Sequence, residues 1–280
     1  MAKQKSRTLP LYYINELAKQ LKAHLIMTKY DDLVVVDINS SIVDAIRKME
    51  PNEQGGSKFD QLPVEEKGSI VGVIRYNSIK NISRDASLKV NMYLDKSVAI
   101  VAYTEPLGDM IGKLVADSCV LVSNGREING LIHWSDLNKQ AVRLYFYIWL
   151  TSVEMGLLEK LKQKYGPSED WMNLLDSKSK IRVLENLSLA LSANLDIYPL
   201  EYCDFSDLIN IVTKDKYNDI RHSLGFNSKS SWKKASGKLV CLRNKIMHPV
   251  RTLVNEGSNI KNLHECNESL KSIVKNISSV

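Results

Sequence analysis

One group of residues able to act on a phosphodiester ends a predicted helix late in the sequence. Arg243 and Asn244 are followed by His248 and Pro249. At about 100° per residue, Arg243 and His248 lie about 140° apart around a helix, whereas Asn244 and His248 share a face, so that Asn244 can orient the imidazole. Pro249 disfavours helical geometry at His248, which predicts an imidazole at the helix end, free to face a groove.

Residues 242–249 resemble the signature of HEPN domains, in which an Arg is followed after a few residues by a His, often with Asn after the Arg and Pro after the His. The resemblance implies a composite site across a two-fold axis, to which each subunit of a homodimer gives one Arg and one His. It also implies an acidic residue, Glu154, in the first helix of the domain. The predicted catalytic set is therefore Arg243, Asn244, His248 and Glu154.

The chemistry that the resemblance implies is RNA cleavage without a metal or other cofactor. An imidazole, which titrates at about pH 6.5, can take the proton of a ribose 2′-OH, and a second imidazole or water can protonate the leaving 5′-oxygen. Arg243 would hold the scissile phosphate, and the products would end in 2′,3′-cyclic phosphate. The alternative is structural, because cations in the last turn of any helix interact favourably with its dipole.

A second group of residues has the chemistry to bind a nucleotide. A predicted strand at residues 130–132 is followed at once by His133, Ser135 and Asp136. A strand that leads directly into a helix start presents free N–H groups and the positive end of the helix dipole to a phosphate. The carboxylate of Asp136 can accept hydrogen bonds from ribose hydroxyls, and His133 can donate one to an anion.

Residues 130–137 resemble the closing strand and helix start of a CBS motif, and residues 72–79 match the same frame. Residues 60–64 resemble the strand of that family that enters the region. The resemblance covers roughly residues 30–141 as a tandem pair, and it implies an adenine nucleotide as regulatory ligand.

The predicted nucleotide-binding residues are carried over from this frame. Asp136 takes the ribose position, and His133 takes the phosphate position, as Arg75 does in the first copy. Ser78 completes the set, but it stands where the first copy would carry its Asp, so one competent site per pair is expected. The alternative is that Asp136 only caps its helix and that the module is a dimerisation scaffold.

The predicted elements that position these residues fall into two parts of the chain, one with alternating strands and helices and one with helices only. Residues 1–30 predict a leading amphipathic helix, after which strand, helix, strand, turn and strand occur twice at a spacing of about 60 residues, which indicates an internal duplication. Residues 33–36 predict the first buried strand. Ser40 or Ser41 then predicts the N-cap of a short helix whose inner face is formed by Ile42, Ala45, Ile46 and Met49. From residue 142 the pattern is helical: residues 142–161 predict a centrally buried helix, and residues 181–195, 205–214, 231–247 and 260–277 predict further helices. The expected fold is an α+β tandem CBS-like domain over residues 1–141, followed by an all-α, HEPN-like helical bundle over residues 142–280.

Composition narrows the class of protein. The 280 residues carry 38 Lys and Arg against 32 Asp and Glu, a net charge of +6, which is compatible with a polyanionic partner such as RNA. No apolar run reaches the length of a membrane span, and no signal peptide is indicated, so a cytoplasmic protein without membrane contact is expected. The four cysteines form no CxxC pair, which predicts reduced core residues and no metal site.

Together these patterns predict a homodimeric endoribonuclease whose CBS-like module senses an adenine nucleotide, and family analogy suggests a toxin or antiviral effector. Between Asp136 and Gly156 the sequence has no Gly or Pro. This predicts an unbroken helix that would link the nucleotide to the helical domain. The alternative function is a non-catalytic sensor whose helical domain binds a protein or nucleic-acid partner.

Overall fold

The computed structural model describes residues 11–50, 59–85, 87–195, 198–255 and 259–278. Two compact units are present. Residues 21–141 form the first, called here the α+β unit. The first helix, α1 (Leu11–Gln20), joins the residues from Val142 onward in the second, called the helical unit. Of the leading helix expected over residues 1–30, residues 1–10 lie outside the described residues, and α1 ends at Gln20. This helix was expected in the N-terminal domain, but it groups with the helical elements and packs against the last helix.

The α+β unit contains the predicted duplication. Its elements in chain order are the strands β1 (Thr28–Lys29) and β2 (Val36–Asp37), helix α2 (Ile42–Met49), strands β3 (Gln61–Glu66) and β4 (Ser69–Arg75), helix α3 (Tyr76–Ile79), strand β5 (Ile100–Ala102), helix α4 (Leu107–Ala116), and strands β6 (Cys119–Ser123) and β7 (Ile128–His133). Short 3₁₀ helices occupy Ala23–Leu25, Tyr30–Asp32, Val90–Tyr93 and Trp134–Asn138.

The two copies use the same pairing scheme. In the first, β2 runs parallel to β3, and β3 pairs antiparallel with β4. In the second, β5 runs parallel to β6, and β6 pairs antiparallel with β7. Each parallel pair is connected through a helix that buries one apolar face; in α2 this face is Ile42, Ala45, Ile46 and Met49, as predicted, and Ser41 caps its start.

Each copy also pairs with the chain segment that precedes the other copy. β1, which leads into the first copy, pairs antiparallel with β7 of the second. In return, Asp95, which leads into the second copy, exchanges two backbone hydrogen bonds with Val73 in β4 of the first. A glycine faces the crossing segment in both places. A Cβ on Gly130 would lie 2.3 Å from the Thr28 carbonyl oxygen, and one on Gly72 would lie 2.6 Å from that of Asp95.

The helical unit contains seven helices in its described residues besides short 3₁₀ turns at Asp170–Leu174 and Pro199–Tyr202. They are α1 (Leu11–Gln20), α5 (Gln140–Tyr165), α6 (Ser177–Ser192), α7 (Phe205–Lys214), α8 (Asp219–Ser223), α9 (Lys229–Met247) and α10 (Ile260–Ser278). Large side chains such as Phe146, Trp171, Phe205 and Trp232 are almost fully buried and form its core. α5 is the predicted central helix, and Gly166, in the left-handed region at φ 52°, follows its end.

Three expectations differ from the structure. Residues 33–35 lie outside β2, and Val34 is exposed, because the 3₁₀ turn at Tyr30–Asp32 precedes them. The predicted unbroken helix is also wrong. The turn Trp134–Asn138 ends at Lys139, whose extended backbone (φ −66°, ψ 154°) separates it from the start of α5. Cys241, expected in the core, is exposed, whereas Cys119, Cys203 and Cys266 are buried.

Candidate functional site

A cavity of about 480 Å³ opens in the α+β unit where the chain leaves β7. Its walls come from the loop before β2, from the start of β3 and from β7. The apolar and aromatic side chains among the lining residues are Leu33, Val34, Phe59, Leu62, Pro63, Leu131 and Trp134. Such a lining suits the flat apolar faces of an aromatic ring, and the volume is in the usual range for small-molecule sites.

Asp136 lies in this cavity and is held on two sides. Its side chain caps the 3₁₀ turn, because the Oδ2 atom accepts a hydrogen bond from the backbone N–H of His133 at 2.8 Å. Its Oδ1 atom pairs with the Lys139 ammonium at 2.8 Å, and Lys139 in turn donates to the carbonyl of Ile26 at 2.6 Å. The residue is only 8 % exposed. The capping role therefore exists, and the same geometry fixes the carboxylate at the cavity surface.

His133 presents one ring nitrogen without a partner. Its Nδ1 atom lies 2.8 Å from the Ser135 hydroxyl and accepts from the Ser135 N–H at 3.4 Å. The Nε2 atom is buried and has no hydrogen-bond partner among the described residues. Burial lowers the pKa of the imidazole, although the charges of Asp136 and Asp60 oppose the shift. A neutral ring that accepts at Nδ1 carries its proton on Nε2, so this buried N–H has no acceptor within the described residues.

Asp32 and Asp60 also line the cavity, and both are exposed at its rim. Neither was singled out from the sequence, although Asp60 begins the segment that resembles the strand of the CBS motif. The resemblance of residues 60–64 to that strand could therefore have identified Asp60 as a candidate binding residue. For Asp32 there was no such signal, because no motif includes it between the expected leading helix and the expected strand at residues 33–36.

Arg75 and Ser78 do not line this cavity. The guanidinium of Arg75 forms a bidentate pair with Asp117, with N–O distances of 2.8 and 2.7 Å, and its Nε atom donates to Asp95 at 2.8 Å. These hydrogen bonds raise the pKa of Arg75, with that to Asp117 contributing most. Ser78 is exposed on α3. In this structure Arg75 ties the two copies together, and its donors face carboxylates of the chain itself.

In the helical unit, Arg243 continues the buried side of α9 that Trp232, Ser236 and Leu239 form. It is half-buried, and its Nε atom has no hydrogen-bond partner in the described part of the chain. The charge of Arg243 acts on Glu154 of α5. Burial raises the pKa of Glu154, the guanidinium of Arg243 opposes this shift, and Asp204 adds to it. Two of the four predicted catalytic residues thus influence one another electrostatically, and no hydrogen bond or salt bridge joins them within the described residues.

Asn244 and His248 lie on the outer side of the helix end. Both are exposed, and His248 follows the last helical residue with φ −115° and ψ 87°. Its carbonyl accepts from the N–H of Arg251 at 2.9 Å. No hydrogen bond joins the Asn244 and His248 side chains within the described residues. The imidazole is at the helix end as predicted, and a single chain leaves it apart from the Arg243 and Glu154 pair.

None of the described helices is both long enough and apolar enough to cross a membrane. Over the same residues, no group of three or more His, Cys, Asp or Glu side chains is placed to hold a metal ion.

The comparisons with known proteins concern the α+β unit. Residues 21–85 match the family model of the CBS domain. A hemolysin-like protein containing a CBS domain from Oenococcus oeni is 18 % identical over 46 % of this chain and 96 % of its own, with a TM-score of 0.37. The CBS domain of a bacterial CNNM/CorC family Mg²⁺ transporter, solved in complex with ATP, is 14 % identical over 47 % and 94 %, with a TM-score of 0.39.

A search of curated proteins finds no match. The family match begins just before β1, includes β2, β3 and β4, and ends after α3, so it spans the first of the two copies. It does not reach the helical unit, where the resemblance to HEPN domains rests on the sequence motif alone. The chain carries a CBS domain in its N-terminal α+β region, followed by a mostly helical region.

Proposed function

We propose that this protein is a nucleotide-sensing regulator and that the cavity beside β7 binds an adenine nucleotide. One observation carries the proposal: the two residues assigned to the second CBS-like copy, His133 and Asp136, converge on a cavity with apolar walls.

The chemistry of the cavity divides between base and sugar. Leu62, Pro63 and Leu131 offer an apolar surface to a purine. Asp136 keeps lone pairs for ribose hydroxyls, since each of its oxygens can accept more than one hydrogen bond. A related CBS structure contains ATP, which supports the adenine class.

Calorimetric titration of the full chain with AMP, ADP, ATP and GTP tests this proposal. We expect one adenine nucleotide per chain and weaker binding of GTP. Asp136→Ala should weaken binding at least tenfold, by the loss of hydrogen bonds of about 1.5–3 kcal/mol to a charged group. Asp85→Asn, a charge change in the same unit away from the cavity, should leave it unaltered. If no adenine nucleotide binds, the proposal is wrong.

The helical unit has a second proposed function, that of the effector. The specific observation is that the charge of Arg243 acts on the carboxyl of Glu154, while His248 is exposed at the end of the helix that carries Arg243. We propose a metal-independent endoribonuclease in a homodimer. His248 would take the proton of a 2′-OH, whose oxygen attacks phosphorus while the 5′-oxygen leaves with a proton from the second His248 or water. Arg243 would hold the phosphate, and the products would be a 2′,3′-cyclic phosphate and a 5′-OH.

Incubating the protein with radiolabelled RNA in EDTA tests this second proposal. Cleavage with cyclic phosphate ends is expected, and His248→Ala and Arg243→Ala should each reduce it at least 100-fold, as is typical for loss of an acid–base or electrostatic group. Arg251→Ala, an exposed cation three residues after His248, is the matched control. Growth arrest on expression, absent from the two variants, would extend the proposal to a toxin or antiviral role. Intact RNA with a folded dimer would leave the alternative, a non-catalytic partner-binding domain.

A further inference from the structure

The charged side chains that line the cavity carry negative charge. Three carboxylates line it: Asp136 within it, and Asp32 and Asp60 at its rim. No lysine or arginine is among the described residues of the lining. Lys139 lies beside Asp136, but its ammonium is already bound to that carboxylate and to the Ile26 carbonyl. A ligand therefore meets uncompensated negative charge at the opening.

The cation that the sequence suggested for a phosphate is not available. The three nitrogens of the Arg75 guanidinium are engaged by Asp117 and Asp95. Breaking a bidentate arginine–carboxylate pair to bind a phosphate would exchange one strong interaction for another and would leave Asp117 without its partner. Arg75 thus offers a ligand little net attraction.

His133 does not supply the missing charge either. Its Nε2–H is buried, and Ser135 occupies its Nδ1 atom. The ring therefore presents no positive charge to a phosphate. The apolar walls and the Asp136 carboxylate suit the base and the sugar of a nucleoside.

From this arrangement we infer that the cavity selects the least phosphorylated adenine compounds, adenosine and AMP, and that each added phosphate weakens binding. This inference rests on the proposed function. A phosphate that points inward approaches Asp136, and one that points outward passes Asp32 and Asp60, so either orientation brings like charges together. Two unit charges about 8 Å apart at an effective dielectric constant of about 20 repel enough to weaken binding roughly tenfold or more, before screening by salt.

The test is a titration series on the full chain with adenosine, AMP, ADP and ATP at low ionic strength, first with EDTA and then with Mg²⁺. We expect affinity to fall about tenfold or more from AMP to ATP in EDTA, and Mg²⁺, which neutralises part of the triphosphate, to recover part of the loss. Added salt should narrow the difference, because it screens the rim carboxylates.

One double variant, with a control, tests whether the two rim carboxylates are responsible for this weakening. Asp32→Asn and Asp60→Asn together should raise ATP affinity more than adenosine affinity, so that the ratio between them shrinks several-fold. Asp85→Asn, which changes the net charge outside the cavity, should not alter the ratio. ATP binding as tightly as adenosine in EDTA overturns the inference but leaves the proposed function in place. Failure of every adenine compound to bind overturns both, and a ratio that the double variant does not change overturns the assignment to Asp32 and Asp60.

Discussion

Arg143 of α5 donates a hydrogen bond from its Nη1 atom to the carbonyl of Lys245 in α9, at 2.7 Å. Its Nη2 atom also donates to the carbonyl of Arg251. The two acceptors lie on either side of His248, so one buried guanidinium fixes both ends of the segment that carries the candidate imidazole. The carbonyls at a helix end have no partners within the helix, and a cation there interacts favourably with the helix dipole.

Replacing Arg143 should therefore destabilise the helical unit. Arg143→Met keeps much of the volume but leaves two carbonyls without a donor, and we expect a loss of about 2 kcal/mol in the free energy of unfolding. Urea unfolding followed by tryptophan fluorescence measures it, since three of the four tryptophans, Trp149, Trp171 and Trp232, lie in this unit. Arg47→Met, at an exposed arginine in α2, should change stability by less than about 0.5 kcal/mol. Equal effects would contradict this account.

Two substitutions of Asp136 separate its structural role from its proposed role in ligand binding. Asp136→Ala removes the acceptor for the His133 N–H and should cost about 1 kcal/mol in stability, whereas Asp136→Asn retains an acceptor oxygen and should cost less. Thermal unfolding without ligand measures the difference. A ligand contact is indicated if Asp136→Asn keeps stability but loses affinity, because a neutral amide is a weaker acceptor for ribose hydroxyls than a carboxylate is.

Gly130 and Gly237 make opposite predictions for the same substitution. A Cβ at Gly130 would lie 2.3 Å from the backbone of Thr28, so Gly130→Ala must separate β7 from β1 and should destabilise the α+β unit by 2 kcal/mol or more, on the order of an overpacked core. Gly237 is exposed in α9 with nothing within 4 Å of its Cβ position, so Gly237→Ala should stabilise the chain by up to about 1 kcal/mol. Calorimetric unfolding of both variants checks the pair.

Glu154 predicts a pH dependence with a defined sign. Burial raises the pKa of its carboxyl from the ordinary value of 4.5, so the folded chain favours the protonated form. The stability that this carboxyl contributes is complete below the ordinary value and is lost as the pH rises through the raised pKa. Glu154→Gln should therefore flatten the decline in stability over that window and equal or exceed the native chain at neutral pH. A Gln variant that is less stable at pH 7 would show that the charge attraction to Arg243 outweighs burial.

The sequence could predict the order of elements in the α+β unit because apolar spacing and turn residues are local signals. The face of α2 and its Ser41 cap follow from a period of 3.6 and one hydroxyl. The helix bounds late in the chain were close to those observed for the same reason; the expected helix 205–214 coincides with α7.

The partners of charged side chains could not be predicted in this way. Arg75 looked free to bind an anion because Asp95 and Asp117 lie 20 and 42 residues further along the chain, and only the fold brings them together. The break at Lys139 had no Gly or Pro to announce it; a lysine adopts an extended backbone there while its ammonium reaches Asp136 and Ile26. The first difference arises from contacts between residues distant in sequence, and the second from a backbone conformation. Residue type alone determines neither.

The exchange of leading segments between the two copies has a consequence for how the α+β unit can be divided. A fragment cut after residue 85 would contain the whole family match, yet it would leave Val73 without the main-chain partners that Asp95 supplies and β1 without β7. Neither half carries a complete set of backbone hydrogen bonds. We therefore expect the duplicated pair to be the smallest piece that folds independently, and amide hydrogen exchange to report a single opening event across residues 28–133 instead of two.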